Sequence, residues 1–390
     1  MNIKNLPIPN DQALKDSNLL IEKIKAEIQS EGPITFARYM ELALYAPKLG
    51  YYRSGLTKFG EGGDFVTAPL ISPLFSQCLA RQCHQVLTSL PKLGKILEFG
   101  PGSGDMAIEI IKELAASNCL PEKYQMLELS AELSERQKNN IKNQIPEWYE
   151  RFEWISTLPT HFSGIILANE VIDAFPIHRL HLKRQEALEY YVDYVEDQLS
   201  WKMGSLSSDH LQTAIENLGL KFLEEKEGYV SEINLILPSW IQAISNCLQA
   251  GLILIIDYGF PRHEYYHPHR DQGTIMCHYQ HFAHSDPLLY PGIQDITCHV
   301  DFTTIAEAAE ACNLSVEGFT HQAGFLINCG LENLLSRSTN ELEQYRLAQQ
   351  IKRLTYPGEM GEIIKVMALT RNFSHFLLGF SNFNQIARLQ

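Results

Sequence analysis

The sequence predicts an α/β fold: a Rossmann-like, mostly parallel sheet with an N-terminal helical extension before it and insertions on its substrate side. Three observations predict it. Four residues, Lys95 to Glu98, carry a short buried run that leads through Phe99 into Gly100-Pro101-Gly102-Ser103-Gly104, and an apolar-periodic helix follows from Met106, which reads as strand, tight turn, helix. Tyr124-Gln125-Met126-Leu127-Glu128 reads as the next strand, and its carboxylate lies 24 residues beyond Gly104. Residues 164–168 and the first five residues of 252–259 are continuous apolar runs, the pattern of strands buried on both faces of a parallel sheet.

The remaining elements follow in order. Residues 17–30 carry Leu20, Ile21, Ile24 and Ile28 on one helical face, and Gly32-Pro33 ends the pattern. Thr35 is an N-cap for a second helix through Tyr45, stopped by Pro47. A long loop with Gly60, Gly62 and Gly63 leads to Ser72-Pro73, the cap and first position of a helix to about Leu87. Residues 1–90 therefore form an expected helical cap. Long polar loops in compact proteins are usually functional or disordered; the aromatic and threonine content here favours a functional loop over one that only joins two helices, and Thr67 and Pro69 are candidates to close over a bound cofactor.

Ser130 caps a helix through Lys138, and 152–156 reads as the third core strand. The fourth, 164–168, empties into Asn169-Glu170-Val171-Ile172-Asp173. Residues 178–191 and 194–203 alternate as strands do, and two helical patterns come next, so about 180–250 is an insertion. The fifth strand, 252–259, precedes an aromatic and histidine-rich loop at 260–300 and a helix at 302–312. Residues 325–329 and 362–370 supply closing strands, which bounds the core at 91–375 and leaves 376–390 as a C-terminal tail.

The glycine turn asks which ligand it cradles. Glycines let the backbone turn sharply and let a ligand approach the main chain. The dinucleotide fingerprint needs glycines at its first, third and sixth positions, whereas here they fall at the first, third and fifth, and Asp105 stands sixth. Glu98 and Asp105 would oppose a pyrophosphate by like charge. A ligand bearing an ammonium and a sulfonium reverses that sign, which favours S-adenosyl-L-methionine over NAD. Glu128, at the end of the second strand, is placed to accept from both ribose hydroxyls. The expected cofactor contacts are thus Thr67, Pro69, Glu98, Gly100, Gly102, Gly104, Asp105, Glu128 and Asn169.

Composition narrows the class of partner. The formal charge of −14, from 46 acidic and 32 basic residues, disfavours nucleic acid. Eight cysteines are scattered without a C-x-x-C pair, as in reduced, mostly buried thiols. The N-terminal residues have no apolar h-region and no run reaches the ~18 apolar residues of a membrane span, so the expected location is the cytoplasm, with no membrane partner. His263-Glu264-Tyr265-Tyr266-His267 matches H-E-x-x-H, a zinc motif that requires both histidines on one helical face. Pro268 pushes His267 out of the helical region, so no metal is expected there.

Seven strings, GPITFARYMELALYAPKLGYY, GDFVTAPLIS, ILEFGPGSGDMA, ANEVIDAFP, IDYGFPRHEYYHP, DITCHVDF and MGEIIKVMALT, together resemble successive signatures of the MidA family over about residues 31–371. That family comprises S-adenosyl-L-methionine-dependent methyltransferases and includes a mitochondrial complex I assembly factor regarded as a protein arginine methyltransferase. The resemblance implies a class I methyltransferase sheet, cofactor binding by Glu98, Gly100, Gly102, Gly104 and Glu128, closure by residues 64–69, and an acceptor site bordered by 169–173. It also implies a protein partner with an exposed arginine. A homodimer is left open.

For an arginine acceptor, whose guanidinium is always protonated, carboxylates must hold the fork and help remove a proton. Glu170 and Asp173 are the catalytic candidates, with Tyr258, His299 and Asp301 as the acceptor wall. The opposing reading is that Asn169 or Asp173 caps a following helix. An assembly chaperone that binds the cofactor without turnover is the alternative function.

Overall fold

The computed structural model describes residues 6–53, 67–183, 186–220, 228–337 and 340–390. They fold into two compact units. One comprises residues 1–65, 173–239 and 263–299; the other comprises 66–172, 240–262 and 300–390.

The second unit is built on a long sheet. Its strands are β1 (Lys95–Phe99), β2 (Tyr124–Leu127), β3 (Phe152–Ile155), β4 (Phe162–Asn169), β5 (Leu248–Phe260), β6 (Ser315–His321) and β7 (Ile364–Arg371). Their order is β3-β2-β1-β4-β5-β7-β6, and the short segment Val300–Asp301 adds beside β5. Pairings among β1 to β5 are parallel, whereas β7 runs antiparallel between β5 and β6. The chain leaves β1 towards β2 and β3, then returns to add β4 on the other side of β1. A sheet of this kind binds its ligands at that reversal, beyond the carboxyl ends of the strands.

Burial explains why these runs are strands. Ile96, Leu97, Ile165, Ile166, Leu252, Ile253, Leu254 and Ile255 are all fully buried, each worth about 1.5–3 kcal/mol on removal from water. Ile96, Ile165, Leu167, Leu252 and Leu254 share one core with helices α1 (Pro73–Ser89) and α2 (Asp105–Ala116). Alternate residues on the opposite face include Phe99, whose ring meets Trp240 edge-on at 5.3 Å. Ser72 accepts from the Leu74 N–H at the head of α1, as its Ser-Pro start predicts. Helix α3 (Ala131–Gln144) is capped by Ser130, which accepts from Leu133, and runs six residues beyond the expected end at Lys138.

The first unit joins helices Asp11–Glu31 and Phe36–Tyr45 to an antiparallel sheet of Ile34–Thr35, Glu186–Val195, His178–Lys183, Tyr229–Ile233 and Gln198–Gly204. Thr35 caps its helix as expected, accepting from Arg38. The first helix starts earlier than the apolar pattern, because Asn10 accepts from Ala13 and sets its start. Leu20, Ile24, Phe36, Tyr39, Met40 and Val192 pack in one cluster.

Three expectations are corrected. Residues 260–300 are not one long loop: Met276–Tyr279, Phe282–His284 and Asp295–Thr297 form a three-stranded antiparallel sheet. Its strands are only three or four residues long, too short for a period to show. Residues 325–329 are not a closing strand, since Gln322–Asn328 is a helix whose cap, His321, accepts from Gly324; a short apolar run has no period of its own. The closing strand is β6, just before it. The inserted region also contains Tyr229–Ile233, a fully buried strand.

The helical turn Arg262–Tyr265 stops short of His267, so the two histidines of the zinc-like pattern do not share a helix. Among the described residues, no group of three or more His, Cys, Asp or Glu could hold a metal ion, and no helix is long and apolar enough to cross a membrane. All eight cysteines are free. Residues 376–390 do not trail from the fold: Phe380 is buried against the Phe325 ring at 5.6 Å.

Candidate cofactor and acceptor site

The site is assembled at the carboxyl ends of β1, β2, β4 and β5. After β1 the chain passes through Gly100, Gly102 and Gly104 at φ values of +56°, +54° and +86°, a left-handed region that side chains with a Cβ enter at a cost of about 1–2 kcal/mol each. The Gly100 N–H donates to Leu127 O at 3.2 Å and the Gly104 N–H to Pro101 O at 2.8 Å. The first bond ties the turn to β2 and the second closes the turn on itself. A Cβ on Gly104 would lie 3.6 Å from Gln137 Cγ and Met126 Cε, so the backbone conformation rather than crowding selects glycine.

Glu98 is buried near the carboxyl end of β1, 2% exposed. The Tyr124 hydroxyl donates to its Oε2 at 2.7 Å. Burial pushes the Glu98 carboxyl up to about 7, the Tyr124 bond opposes the rise, and neighbouring Glu128 adds to it. Glu128 itself is half-buried: its Oε1 accepts from the Ser130 N–H at 2.7 Å and its Oε2 from Gln137 Nε2 at 3.1 Å. Asp105 turns onto the turn itself, accepting from Ser103 Oγ at 2.5 Å and Asn140 Nδ2 at 3.2 Å.

At the end of β4, Asn169 Nδ2 donates to Glu170 Oε1 at 3.2 Å, and Asn169 Oδ1 is buried with no hydrogen-bond partner among the described residues. Glu170 is not a glycine yet holds φ +51°. Two interactions impose that conformation. The Glu170 N–H donates to Ile256 O at 2.8 Å, and Asp257, fully buried at the end of β5, accepts from Val171 at 3.2 Å and Ile172 at 2.8 Å. Strained backbone of this kind persists only where its surroundings over-determine it, and it clusters at functional sites. Glu170 Oε1 also accepts from the Ala68 N–H at 3.3 Å, at the first residue of the short helix Ala68–Ile71. Thr67 precedes that helix and Pro69 is its second residue, so both lie beside Glu170. Residues 64–66, also expected to close over the cofactor, lie outside the described residues.

The second unit therefore brings together Thr67, Pro69, Glu98, Gly100, Gly102, Gly104, Asp105, Glu128, Asn169 and Glu170, and also contains Tyr258 and Asp301. Asp173 and His299 fall in the first unit. No helix follows Asn169, only a turn, so neither Asn169 nor Asp173 is a helix cap. The expected acceptor wall of Tyr258, His299 and Asp301 is not one surface of the second unit. Asp301 instead caps helix Phe302–Ala311, accepting from Thr303 N at 3.0 Å, Thr304 Oγ1 at 2.7 Å and Arg262 Nε at 3.2 Å. Burial raises its carboxyl above the usual range and the Arg262 charge opposes that. Three residues that carry this geometry were not singled out in the sequence: Gln137, Asn140 and Asp257. Asp257 had a legible signal, a carboxylate directly after the apolar run 252–256, as Glu128 is after Met126-Leu127.

The donor and acceptor set fits a cationic adenosyl cofactor. Glycines free the main chain for close approach, carboxylates line the strand ends, and the buried Asn169 carbonyl oxygen requires a donor. A pyrophosphate would meet carboxylates of its own sign. Such a sheet, with this turn at its reversal, defines a class I adenosyl-cofactor enzyme fold. Residues 78–320 match the family model of S-adenosyl-L-methionine-dependent methyltransferases, and the chain belongs to that family, the MidA family, with S-adenosyl-L-methionine as its cofactor. It is 37% identical to a Burkholderia thailandensis protein solved with S-adenosyl-homocysteine, with a TM-score of 0.92 over 98% of this chain and 99% of that one. It is 28% identical to human protein arginine methyltransferase NDUFAF7, mitochondrial, over 92% of this chain and 85% of that protein. The Drosophila melanogaster homologue of that enzyme is 27% identical over 94% of this chain and 88% of its own length.

Proposed function

We propose that the chain transfers a methyl group from S-adenosyl-L-methionine to an arginine side chain of a protein substrate, in the cytoplasm. The observation that carries this reading is Glu170, a carboxylate locked in a left-handed conformation at the strand end beside the glycine turn. The names of the human and Drosophila relatives support the acceptor class.

Glu98, Gly100, Gly102, Gly104, Glu128 and Asn169 would hold the cofactor, which supplies a methyl on a sulfonium. The acceptor nitrogen forms its bond to that methyl carbon as the carbon–sulfur bond breaks, and the sulfur leaves with the electron pair as a thioether. Alignment is the protein's main contribution to such a displacement. Glu170 orients the protonated guanidinium by charge-assisted hydrogen bonds and takes the proton that the nitrogen loses, passing it to solvent. Asp257 acts through Glu170, because it holds the two N–H groups that follow it. Asp173, the second catalytic candidate, is buried in the first unit, where its main-chain carbonyl accepts from Cys298 N at 2.8 Å, and this reading rests on Glu170 alone.

The test is incubation with tritiated S-adenosyl-L-methionine and lysate from cells lacking the protein, with identification of the labelled residue. Label on arginine, abolished by Glu170→Gln under conditions where cofactor binding is retained, is expected. Label on another residue type overturns the arginine assignment. Absence of label with intact cofactor binding favours a chaperone that only holds its partner.

A further inference from the structure

Gln137 is fully buried in the middle of α3 and uses both ends of its amide. Nε2 donates to Gly102 O at 2.9 Å and to Glu128 Oε2 at 3.1 Å, and Oε1 accepts from Trp154 Nε1 at 2.9 Å. The orientation of the amide is unambiguous. An indole nitrogen only donates, whereas a main-chain carbonyl and a carboxylate only accept, so reversing the amide would break all three bonds. One side chain thereby ties the turn after β1, the carboxylate at the end of β2 and a ring on β3.

The rest of the arrangement separates two tasks. Glu128 is gripped from both sides, by Ser130 N–H on Oε1 and by Gln137 on Oε2, so its rotamer is set. One helical turn further along α3, Asn140 Nδ2 donates to Ser103 O at 3.1 Å and to Asp105 at 3.2 Å, touching the turn but not Glu128. Residues three apart share a helix face, and here that face is a polar seam along the cofactor turn.

We propose that Gln137 is a positioning residue for ribose recognition: it orients Glu128 towards the two sugar hydroxyls while fixing the glycine turn that carries the rest of the cofactor. Asn140 supports only the turn. The proposal rests on Glu128 as the ribose contact and is independent of the acceptor. It predicts that discrimination between a ribose and a deoxyribose cofactor depends on Gln137 more than overall stability does.

Calorimetry with S-adenosyl-homocysteine and its 2′-deoxy analogue tests it. The wild type should bind the ribose form at least about tenfold tighter, the scale of one hydrogen bond to a charged group. Gln137→Met should erase most of that ratio, and Asn140→Ala should weaken both ligands equally and keep it. Trp154→Phe, which leaves the amide unanchored at Oε1, should shrink the ratio and serves if Gln137→Met does not fold. Should Glu128→Gln leave the ratio intact, the ribose reading at Glu128 fails and the proposal with it. Should Glu128→Gln abolish the ratio while Gln137→Met and Trp154→Phe preserve it, or weaken both ligands by one factor, only the role of Gln137 is overturned.

Discussion

Replacing Glu98 with glutamine should change how stability depends on pH, and the direction follows from burial. Burial holds the carboxyl at about 7 in the folded chain against the ordinary 4.5. Below 4.5 the group is protonated in both states and burial costs little electrostatically. As pH rises through 7 the folded chain must bury a charge that the unfolded chain solvates freely, so this stability is present at low pH and lost at high pH. The gap of about 2.5 pH units, at ~1.4 kcal/mol each, is about 3 kcal/mol when complete.

The assay is urea unfolding of wild type and Glu98→Gln across pH 5 to 8.5, followed by a probe on the second unit such as the Trp240 and Trp154 fluorescence. The wild type should lose about 2–3 kcal/mol relative to the variant over that range. The comparison uses the slopes, so a constant offset from the new amide cancels. Cofactor binding supplies a second arm: a cationic ligand favours the ionised carboxylate, so wild type, but not the variant, should release a proton on binding at pH 6.5. Parallel stability curves, together with no proton release, would refute the argument that a buried, high-pKa carboxyl faces a cation.

Other consequences can be measured directly. Asp257→Ala leaves the Val171, Ile172 and Tyr258 N–H groups without their acceptor, and should cost about 3 kcal/mol while lowering methyl incorporation far more than cofactor affinity. Gly104→Val should destabilise by at least about 1–2 kcal/mol and weaken S-adenosyl-homocysteine binding, with Gly104→Asn milder; equal binding by all three would remove the φ requirement. Thr35→Ala deletes the cap on Arg38 N–H and should cost about 1 kcal/mol in the first unit, with Thr35→Ser retaining most of it. Arginine labelling by Glu170→Gln at the wild-type rate would exclude Glu170 from orienting the acceptor.

The core was largely legible because its signals are local. Residues 164–168 and 252–256 are long enough apolar runs for parallel strands, Ser72-Pro73 and Ser130 are caps, and three glycines in five residues admit few backbones. Where the signal was short, it failed. Residues 325–328 belong to the helix Gln322–Asn328, which an apolar pentapeptide cannot distinguish from a strand, and three strands hide within 260–300 because three or four residues display too little alternation. Asp301 looked like a pocket carboxylate, yet its partners Arg262, Thr303 and Thr304 make it a cap, and Arg262 lies 39 residues away.

The amino-acid order alone thus determined the sheet, the glycine turn, the strand-end carboxylates and the sign of charge the cofactor must carry, since each depends on a few neighbouring residues. Only the tertiary structure decided which groups grip which: Gln137 across three strand ends, Asp257 beneath the Glu170 turn, and Asp173 and His299 in the other unit. The hydrogen bonds among them join residues from nine to 86 positions apart, set by how strands stack and helices return. Hydrogen bonds of that range leave no periodicity in a sequence to be read.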